Sequence, residues 1–281
     1  MSACPLAWRG TNMSDSPDDE HHRESSTSRS VVVIIPTYNE RENLGGIVDR
    51  VRVSVPDAHV LVVDDNSPDG TGTLADELAA EDAHIHVLHR NEKKGLGGAY
   101  LAGFRWALDK GFSAVVEMDA DGSHQPEQLR FLLAALDRSD IVIGSRWVPG
   151  SYVINWPKSR QLLSRSGNAY ARFMLGTRLH DLTAGYRVYR DTALRRIGLE
   201  NVRSQGYSFQ VDLTLRALRA GLEVIELPIT FVDRATGTSK MSGAVIAEAL
   251  WRVTQWGVVA RWRRLVTPGG VTQPRCRGGN G

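Results

Sequence analysis

Two aspartates one residue apart, Asp119 and Asp121, follow the apolar pair Val115-Val116 and precede Gly122-Ser123-His124-Gln125-Pro126. That order predicts a strand carrying two acids at its C-terminal end, then a turn and a helix opening near Glu127. In parallel α/β sheets, ligands gather at that end of the strands. Paired carboxylates there suit a hard divalent cation that grips phosphates. Taken alone, Asp119-Ala120-Asp121 reads first as a solvated turn, because Asp is a common turn former. The rest of the chain changes that balance.

Three further strand-like runs end in polar residues of the same character. Val31 to Ile35 is continuously apolar and β-branched, as expected of a strand buried on both faces, and stops at Pro36-Thr37-Tyr38-Asn39-Glu40. A helix bearing Leu44, Ile47, Val48 and Val51 at helical spacing follows, with Asn39 as its expected cap. Val60 to Val63 ends at Asp64-Asp65, and Ile141 to Ile143 ends at Gly144-Ser145-Arg146. Right-handed βαβ crossovers would bring all four junctions to one edge of one sheet.

Gly95-Leu96-Gly97 resembles the start of a dinucleotide fingerprint, but Tyr100 stands where the third glycine belongs. Without that glycine the helix is not expected to approach the strand closely, which argues against a dinucleotide site. No phosphate-binding P-loop signature occurs either. Residues 147–157 read as a loop with two Trp, two Pro and Tyr152. Lys158, Arg160, Ser164, Arg165 and Asn168 follow on a helix. Beside an acidic metal site, this basic, aromatic segment points to a second, anionic substrate; the alternative is Trp packing into a core. Asp212 and Arg216, at i,i+4 on a helix from about 209 to 220, read as a surface pair. Residues 224–232 read as one edge strand, since Pro228 cannot donate to a central ladder.

The chain has 281 residues, of which 42% are hydrophobic and 23% charged, with a net charge of +2. These values fit one soluble α/β domain with tails and imply no nucleic-acid partner. Cys4 and Cys276 are the only cysteines, so a disulfide framework is excluded. Neither a signal pattern nor an apolar run of membrane-spanning length is present. The reading places a disordered tail at 1–29, a catalytic domain at 30–240, an amphipathic helix at 241–265 and a disordered tail at 266–281. Met13 is an alternative start, and His21-His22 belongs to the solvated tail. The amphipathic segment, clearest over 244–265, puts Ile246, Ala249, Leu250, Val253 and Trp256 on one stripe beside Trp251, Val258 and Trp262, with Arg252, Arg261, Arg263 and Arg264. It suits either a membrane surface or membrane-embedded partner, or packing on its own domain.

These residues together resemble the family 2 glycosyltransferases, and among them the dolichol- or polyprenol-phosphate mannose synthases of the actinobacterial type without C-terminal membrane spans. The resemblance runs from about Val31 to Leu265. Its marks are residues 36–40, 64–70, 119–121 and 144–146, Arg160 with Ser164 and Asn168, residues 181–183, and Arg234 with Ser239-Lys240. It implies a GT-A fold, with a Rossmann-like, mostly parallel central sheet covered by helices on both faces. It further implies GDP-mannose as donor, polyprenyl phosphate as acceptor, Mg²⁺ or Mn²⁺ as cofactor, and a peripheral position on the cytoplasmic face of a membrane.

By the same resemblance, Pro36, Thr37, Tyr38, Glu40, Asp64 and Asp65 hold the guanosine end of the donor. Asp119, Ala120 and Asp121 hold its diphosphate, with Asp119 and Asp121 on the metal. Arg146, Arg160, Ser164, Arg234 and Lys240 surround the acceptor phosphate, and Asp121, Arg234 and Lys240 are the expected catalytic residues. Ser123 stands where some relatives have a Gln that completes the metal shell; it offers a hydroxyl or a bridging water. Asp212 is left without an assigned role. Competing expectations are a UDP-glucose-dependent transferase on the same fold, a non-catalytic nucleotide-binding scaffold and, third, a pyrophosphorylase-like enzyme.

Overall fold

The computed structural model describes residues 29–93, 95–202, 204, 206–233 and 250–259. Seven strands form one sheet, ordered β3-β2-β1-β4-β7-β5-β8: β1 (Val31–Thr37), β2 (His59–Asp64), β3 (Ile85–His89), β4 (Ala114–Glu117), β5 (Ile141–Ser145), β7 (Arg187–Arg190) and β8 (Val224–Pro228). A small second sheet pairs β6 (Tyr152–Ile154) with β9 (Thr230–Val232). The helices are α1 (Arg41–Ser54), α2 (Thr71–Glu81), α3 (Leu96–Asp109), α4 (Leu129–Ala135), α5 (Lys158–Leu175), α6 (Asp191–Ile197) and α7 (Tyr207–Arg219).

The apolar run Val31 to Ile35 is buried because β1 sits between β2 and β4, with core on both faces of the sheet. Alternation divides it: Val32 and Ile34 face one core, while Val31, Val33 and Ile35 face the other. Each such side chain contributes roughly 1.5–3 kcal/mol of transfer free energy. Ile34 also meets α3 closely. A Cβ at Gly103 would lie 2.7 Å from Ile34 Cγ2, so it is Gly103 that lets this helix press on the strand. The glycine missing at position 100 is therefore no barrier to close packing, contrary to expectation.

Strands β1, β2, β4, β5 and β8 run in one direction, and only β7 opposes its neighbours. The four polar junctions thus share one sheet edge, as the crossover rule requires. Because β7 runs backwards, the turn before it, residues 181–186, arrives at that same edge. A run of parallel βαβ units alone would not have brought it there.

Four local expectations are corrected. Asn39 is not the cap of α1; it adopts φ 59°, and Glu40 takes the cap position without a side-chain bond. Pro126 opens a single 3₁₀ turn, residues 126–128, before α4 begins. The segment 224–232 is two strands, because Ile229 turns its side chain into the core beneath Gly144 and sends β9 to β6. The loop 147–157 consequently contains a strand. β8 does lie at the sheet edge, where its proline costs no ladder bond.

At the opposite end of the sheet, His59 and His86 stack with ring centroids 5.1 Å apart, and His59 Nδ1 lies 2.9 Å from His86 Nε2. Burial lowers the pKa of both, and neighbouring positive or titrating groups, His84, Arg52 and Lys110, lower them further; Asp82 partly opposes this at His59. A folded-state pKa below that of the unfolded chain means that the unfolded chain binds more protons as pH falls through about 6.5. The stability contribution is present above that pH and lost below it. Acidification from about pH 7.5 to 5.5 is accordingly expected to lower Tm in calorimetry, and His59→Asn/His86→Asn to shrink the drop.

Candidate active site

The site starts where β1 and β2 end. Thr37 Oγ1 donates to Asp64 Oδ1 at 3.0 Å, and the Ser67 backbone N–H donates to Asp64 Oδ2 at 3.0 Å. Asn39 N–H donates to Ser67 Oγ, Glu40 N–H to Thr71 Oγ1, and Arg41 N–H to Asp69 Oδ2. The two loops are stitched together before any ligand arrives. Asp64 is buried as their common acceptor, while Asp65 pairs with Arg90. Burial raises the Asp65 pKa against the pull of Arg90. Tyr38 is half-buried with Lys93 Nζ 3.5 Å from its ring centroid, beside half-buried Pro36 and Glu40, whose carboxylate accepts from Asn43 Nδ2. A flat base could lie on such an aromatic face, with carboxylates to accept its N–H groups.

Asp119 and Asp121 follow β4, two and four residues beyond the register pair Ile34–Glu117. Asp119 is fixed from two sides: Tyr100 OH donates to its Oδ1 at 3.0 Å, and its own N–H donates to His124 Nδ1 at 3.1 Å. Ser123 N–H donates to Asp121 Oδ1 at 3.0 Å, so Ser123 serves the turn through its backbone. Gly185, in the turn delivered by β7, lies against this group; a Cβ there would sit in ordinary contact, 3.5 Å from His124 and 3.8 Å from Asp119 Oδ2. His124 stacks on Tyr186, and burial lowers its pKa, which keeps the ring neutral and Nδ1 an acceptor.

Tyr100 and His124 are the functional residues that sequence reasoning missed. Position 100 was noticed only as a missing glycine. The usable signal was position on α3: Tyr100 lies one helical turn after Gly97, itself packed against Phe209, and Tyr100 stacks on the same ring. Burial raises the Tyr100 pKa far above the usual phenol value, so it remains a donor. Removing that donor should loosen Asp119. Tyr100→Phe is expected to weaken Mn²⁺ binding, read by electron paramagnetic resonance, by about 10- to 100-fold with little change in Tm.

Beneath Asp119, Glu117 is fully buried and accepts from Gln210 Nε2 at 3.0 Å and Tyr189 OH at 3.3 Å. Burial pushes its pKa up to about 8. Its other oxygen, Oε1, has no hydrogen-bond partner among the described residues.

The predicted acceptor side is built differently from a row of waiting cations. Arg146 is buried, and its Nε and Nη2 grip Asp181 Oδ2 and Oδ1 at 2.7 Å each, while Nη2 also reaches Thr183 Oγ1. Burial would raise the Asp181 pKa, but Arg146's charge and hydrogen bonds outweigh it and hold it below the usual carboxylate range. Asn168 joins this network through Thr183 and the Leu182 N–H. Arg160 pairs with Asp233 at 2.9 Å and lies over the Trp156 ring, 4.1 Å from its centroid. Ser164 is half-buried one turn further along α5. Trp156 is itself buried, so its aromatic ring packs as the alternative reading had it. Arg234 and Lys240 lie outside the described residues. Asp212, read as a surface residue, is buried: it pairs with Arg216 at 2.9 Å and accepts from Ser204 Oγ.

Asp119 and Asp121 present hard oxygen donors, and among the described residues no group of three His, Cys, Asp or Glu forms a metal cage. Mg²⁺ and Mn²⁺ sites that also bind phosphate commonly use one or two carboxylates, with the substrate completing the shell. The donor set therefore fits such an ion in company with a diphosphate.

The family model for Glycosyl transferase family 2 matches residues 32–198, more than half of the chain. This chain belongs to that family. The glycosyltransferase is 58% identical over 235 residues, 84% of its length, to the undecaprenyl-phosphate mannosyltransferase of Micrococcus luteus, covering 97% of that protein. It is 57% identical over 239 residues, again 84% of its length, to the polyprenol monophosphomannose synthase of Mycolicibacterium smegmatis, covering 90% of that protein. Among solved structures, glucosyl-3-phosphoglycerate synthase of Mycobacterium tuberculosis in complex with phosphoglyceric acid aligns at TM-score 0.58 and 18% identity, over 83% of this chain and 80% of that one. The same enzyme with Mn²⁺, UDP and glucosyl-3-phosphoglycerate aligns at TM-score 0.56 and 18% identity, over 86% and 82%. The architecture is thus the GT-A fold expected above, with a central, mostly parallel sheet and helices on both faces.

Proposed function

We propose that this glycosyltransferase moves mannose from GDP-mannose to a polyprenyl phosphate, with inversion at the anomeric carbon. The observation that carries the reading is the edge shared by Asp64, Thr37, Asp119 and Asp121, in a chain 57–58% identical to two named polyprenyl-phosphate mannosyl transferring enzymes. Pro36, Thr37, Tyr38, Glu40, Asp64 and Asp65 take the nucleoside. Asp119 and Asp121, with the Ala120 backbone between them, take the diphosphate and a Mg²⁺ or Mn²⁺ ion. When bound, that ion supplies Lewis-acid stabilisation to the departing diphosphate, worth roughly several kcal/mol.

Tyr100 and His124 hold Asp119 in place for that task. Arg160, Ser164, Arg234 and Lys240 receive the acceptor phosphate, and Arg146 shapes its wall through Asp181. The attacking phosphate oxygen needs no general base, because the second pKa of a phosphate monoester is about 6 and the group is already largely anionic at neutral pH. Asp212, committed to Arg216 and Ser204, is not assigned one.

Among the described residues, no helix is long and apolar enough to cross a membrane. Residues 30–240 are the catalytic unit of this proposal. Residues 241–265 hold it peripherally at the cytoplasmic face, against the lipid or a membrane-embedded partner. Within that segment, Val253 and Trp256 pack on the domain, and Thr254 Oγ1 lies 2.7 Å from Tyr170 OH. Leu250, Trp251, Val258 and Val259 remain exposed, so only part of the expected inner stripe turns inward.

Donor choice is tested by calorimetric binding of GDP-mannose and UDP-glucose in the presence of Mn²⁺. Preference for GDP-mannose supports the proposal; preference for UDP-glucose replaces it with the glucosyl reading.

A further inference from the structure

We infer that Arg187, the first residue of β7, is a positioning residue for this reaction: it fixes the turn 181–186 to α7, so that the groups holding Asp119 converge on it. The inference rests on the assignment of Asp119 and Asp121 to the metal and diphosphate. Arg187 is 1% exposed, and its guanidinium joins the two elements directly. On the turn side, Nε donates to Ala184 O at 2.7 Å and Nη2 to Leu182 O at 2.8 Å. On the helix side, Nη1 donates to Thr214 Oγ1 at 2.8 Å and to Gln210 O at 3.1 Å. Four oxygens arranged around a planar fork define an orientation that a lysine, a point charge with three donors, does not reproduce. The backbone beneath is already set, since Arg187 pairs in register with Glu117 of β4 on one side and Ile143 of β5 on the other. Only the side chain is left to link turn and helix.

Each of the two linked elements carries a support of Asp119. In the turn, Tyr186 stacks on His124 with ring centroids 5.0 Å apart and donates its OH to Gln125 O at 3.3 Å. His124 in turn accepts the Asp119 N–H. On α7, Phe209 stacks on Tyr100 with centroids 6.3 Å apart, and Tyr100 OH donates to Asp119 Oδ1. Gln210, whose carbonyl Arg187 holds, donates Nε2 to Glu117 at the end of the strand that leads to Asp119. One guanidinium therefore sets the spacing between the His124 side and the Tyr100 side of the same carboxylate. The turn's other arm reaches the acceptor side, where Asp181 and Thr183 accept from Arg146. A turn that drifts from α7 loosens both.

The test compares Arg187→Lys with Val51→Ala in the full chain. Val51 is fully buried near the end of α1 remote from the site, in the core on the opposite sheet face from Tyr100 and Phe209, so its truncation lowers stability without removing any of these bonds. Two readouts are taken well below either Tm: Mn²⁺ affinity by electron paramagnetic resonance, and the ¹⁵N resonance of His124 Nδ1 in metal-free protein, which reports whether that nitrogen still accepts the Asp119 N–H. Arg187→Lys is expected to weaken Mn²⁺ binding about tenfold and to shift the Nδ1 resonance. Val51→Ala is expected to lower Tm and leave both readouts as in the parent.

Thr214→Val removes one acceptor of the same guanidinium and keeps the side-chain shape, so it should move both readouts in the same direction by less. It decides the matter should Arg187→Lys fail to fold. Parental Mn²⁺ affinity and Nδ1 resonance in folded Arg187→Lys, or unchanged readouts in Thr214→Val where the lysine variant does not fold, overturn the inference. Equal losses in Val51→Ala overturn it too. A parent that binds no Mn²⁺ removes the metal assignment instead, and the Nδ1 resonance then judges Arg187 alone.

Discussion

Asp121→Asn is expected to lower metal-dependent sugar transfer by at least about 100-fold, because several kcal/mol of leaving-group stabilisation depends on that ligand and each 1.36 kcal/mol is tenfold in rate. The substitution is nearly isosteric. An Asn oxygen can still accept the Ser123 N–H that Asp121 accepts, so the turn survives. An amide is nevertheless a poorer ligand for a hard cation. Initial rates at saturating donor, with Mn²⁺ varied, separate a lost ligand from a lost fold; an unchanged Tm should accompany the fall. Full turnover with the parent's metal requirement would remove Asp121 from the metal site.

The largest stability effect is expected at Asp181. It is fully buried and receives the Arg146 backbone N–H and two N–H groups from one edge of the Arg146 guanidinium. Asp181→Ala leaves a buried guanidinium without its anion, a change that costs about 3–5 kcal/mol. For a domain of this size that corresponds to a fall in Tm of very roughly 6–20 °C. Replacing both partners by apolar residues, Arg146→Met with Asp181→Leu, should recover much of the loss, since neither charge is then stranded. Thermal unfolding of the three proteins decides it. A single variant as stable as the parent would show that the pair carries no structural weight, and would return Arg146 to the acceptor phosphate as a simple cation.

The sequence discloses the parts of this molecule that depend on short-range pattern. Val31 to Ile35 reads as a buried strand because every side chain in it is apolar and β-branched, and it is one. The convergence of residues 36–40, 64–65, 119–121 and 144–146 follows from crossover handedness alone. What stayed hidden depends on reversals and on pairs far apart in the chain. β7 runs against its neighbours, and nothing in Arg187-Val188-Tyr189-Arg190 announces a direction. Its reversal carries Asp181 to Arg146, so the residue expected at the acceptor phosphate is also half of a buried pair. Tyr100 was read against a glycine template, so the hydroxyl that reaches Asp119 across 19 residues went unseen. Asp212 looked like one half of an exposed i,i+4 pair, and only the position of Ser204 shows it to be buried.

The most direct test of the account is transfer of labelled mannose from GDP-mannose to polyprenyl phosphate by the purified chain, with and without chelator. The account predicts a mannosyl lipid that forms with Mg²⁺ or Mn²⁺ and disappears when the ion is removed. Mannosyl lipid formed equally well in chelator, or none formed under any metal condition while the protein remains folded, would contradict it.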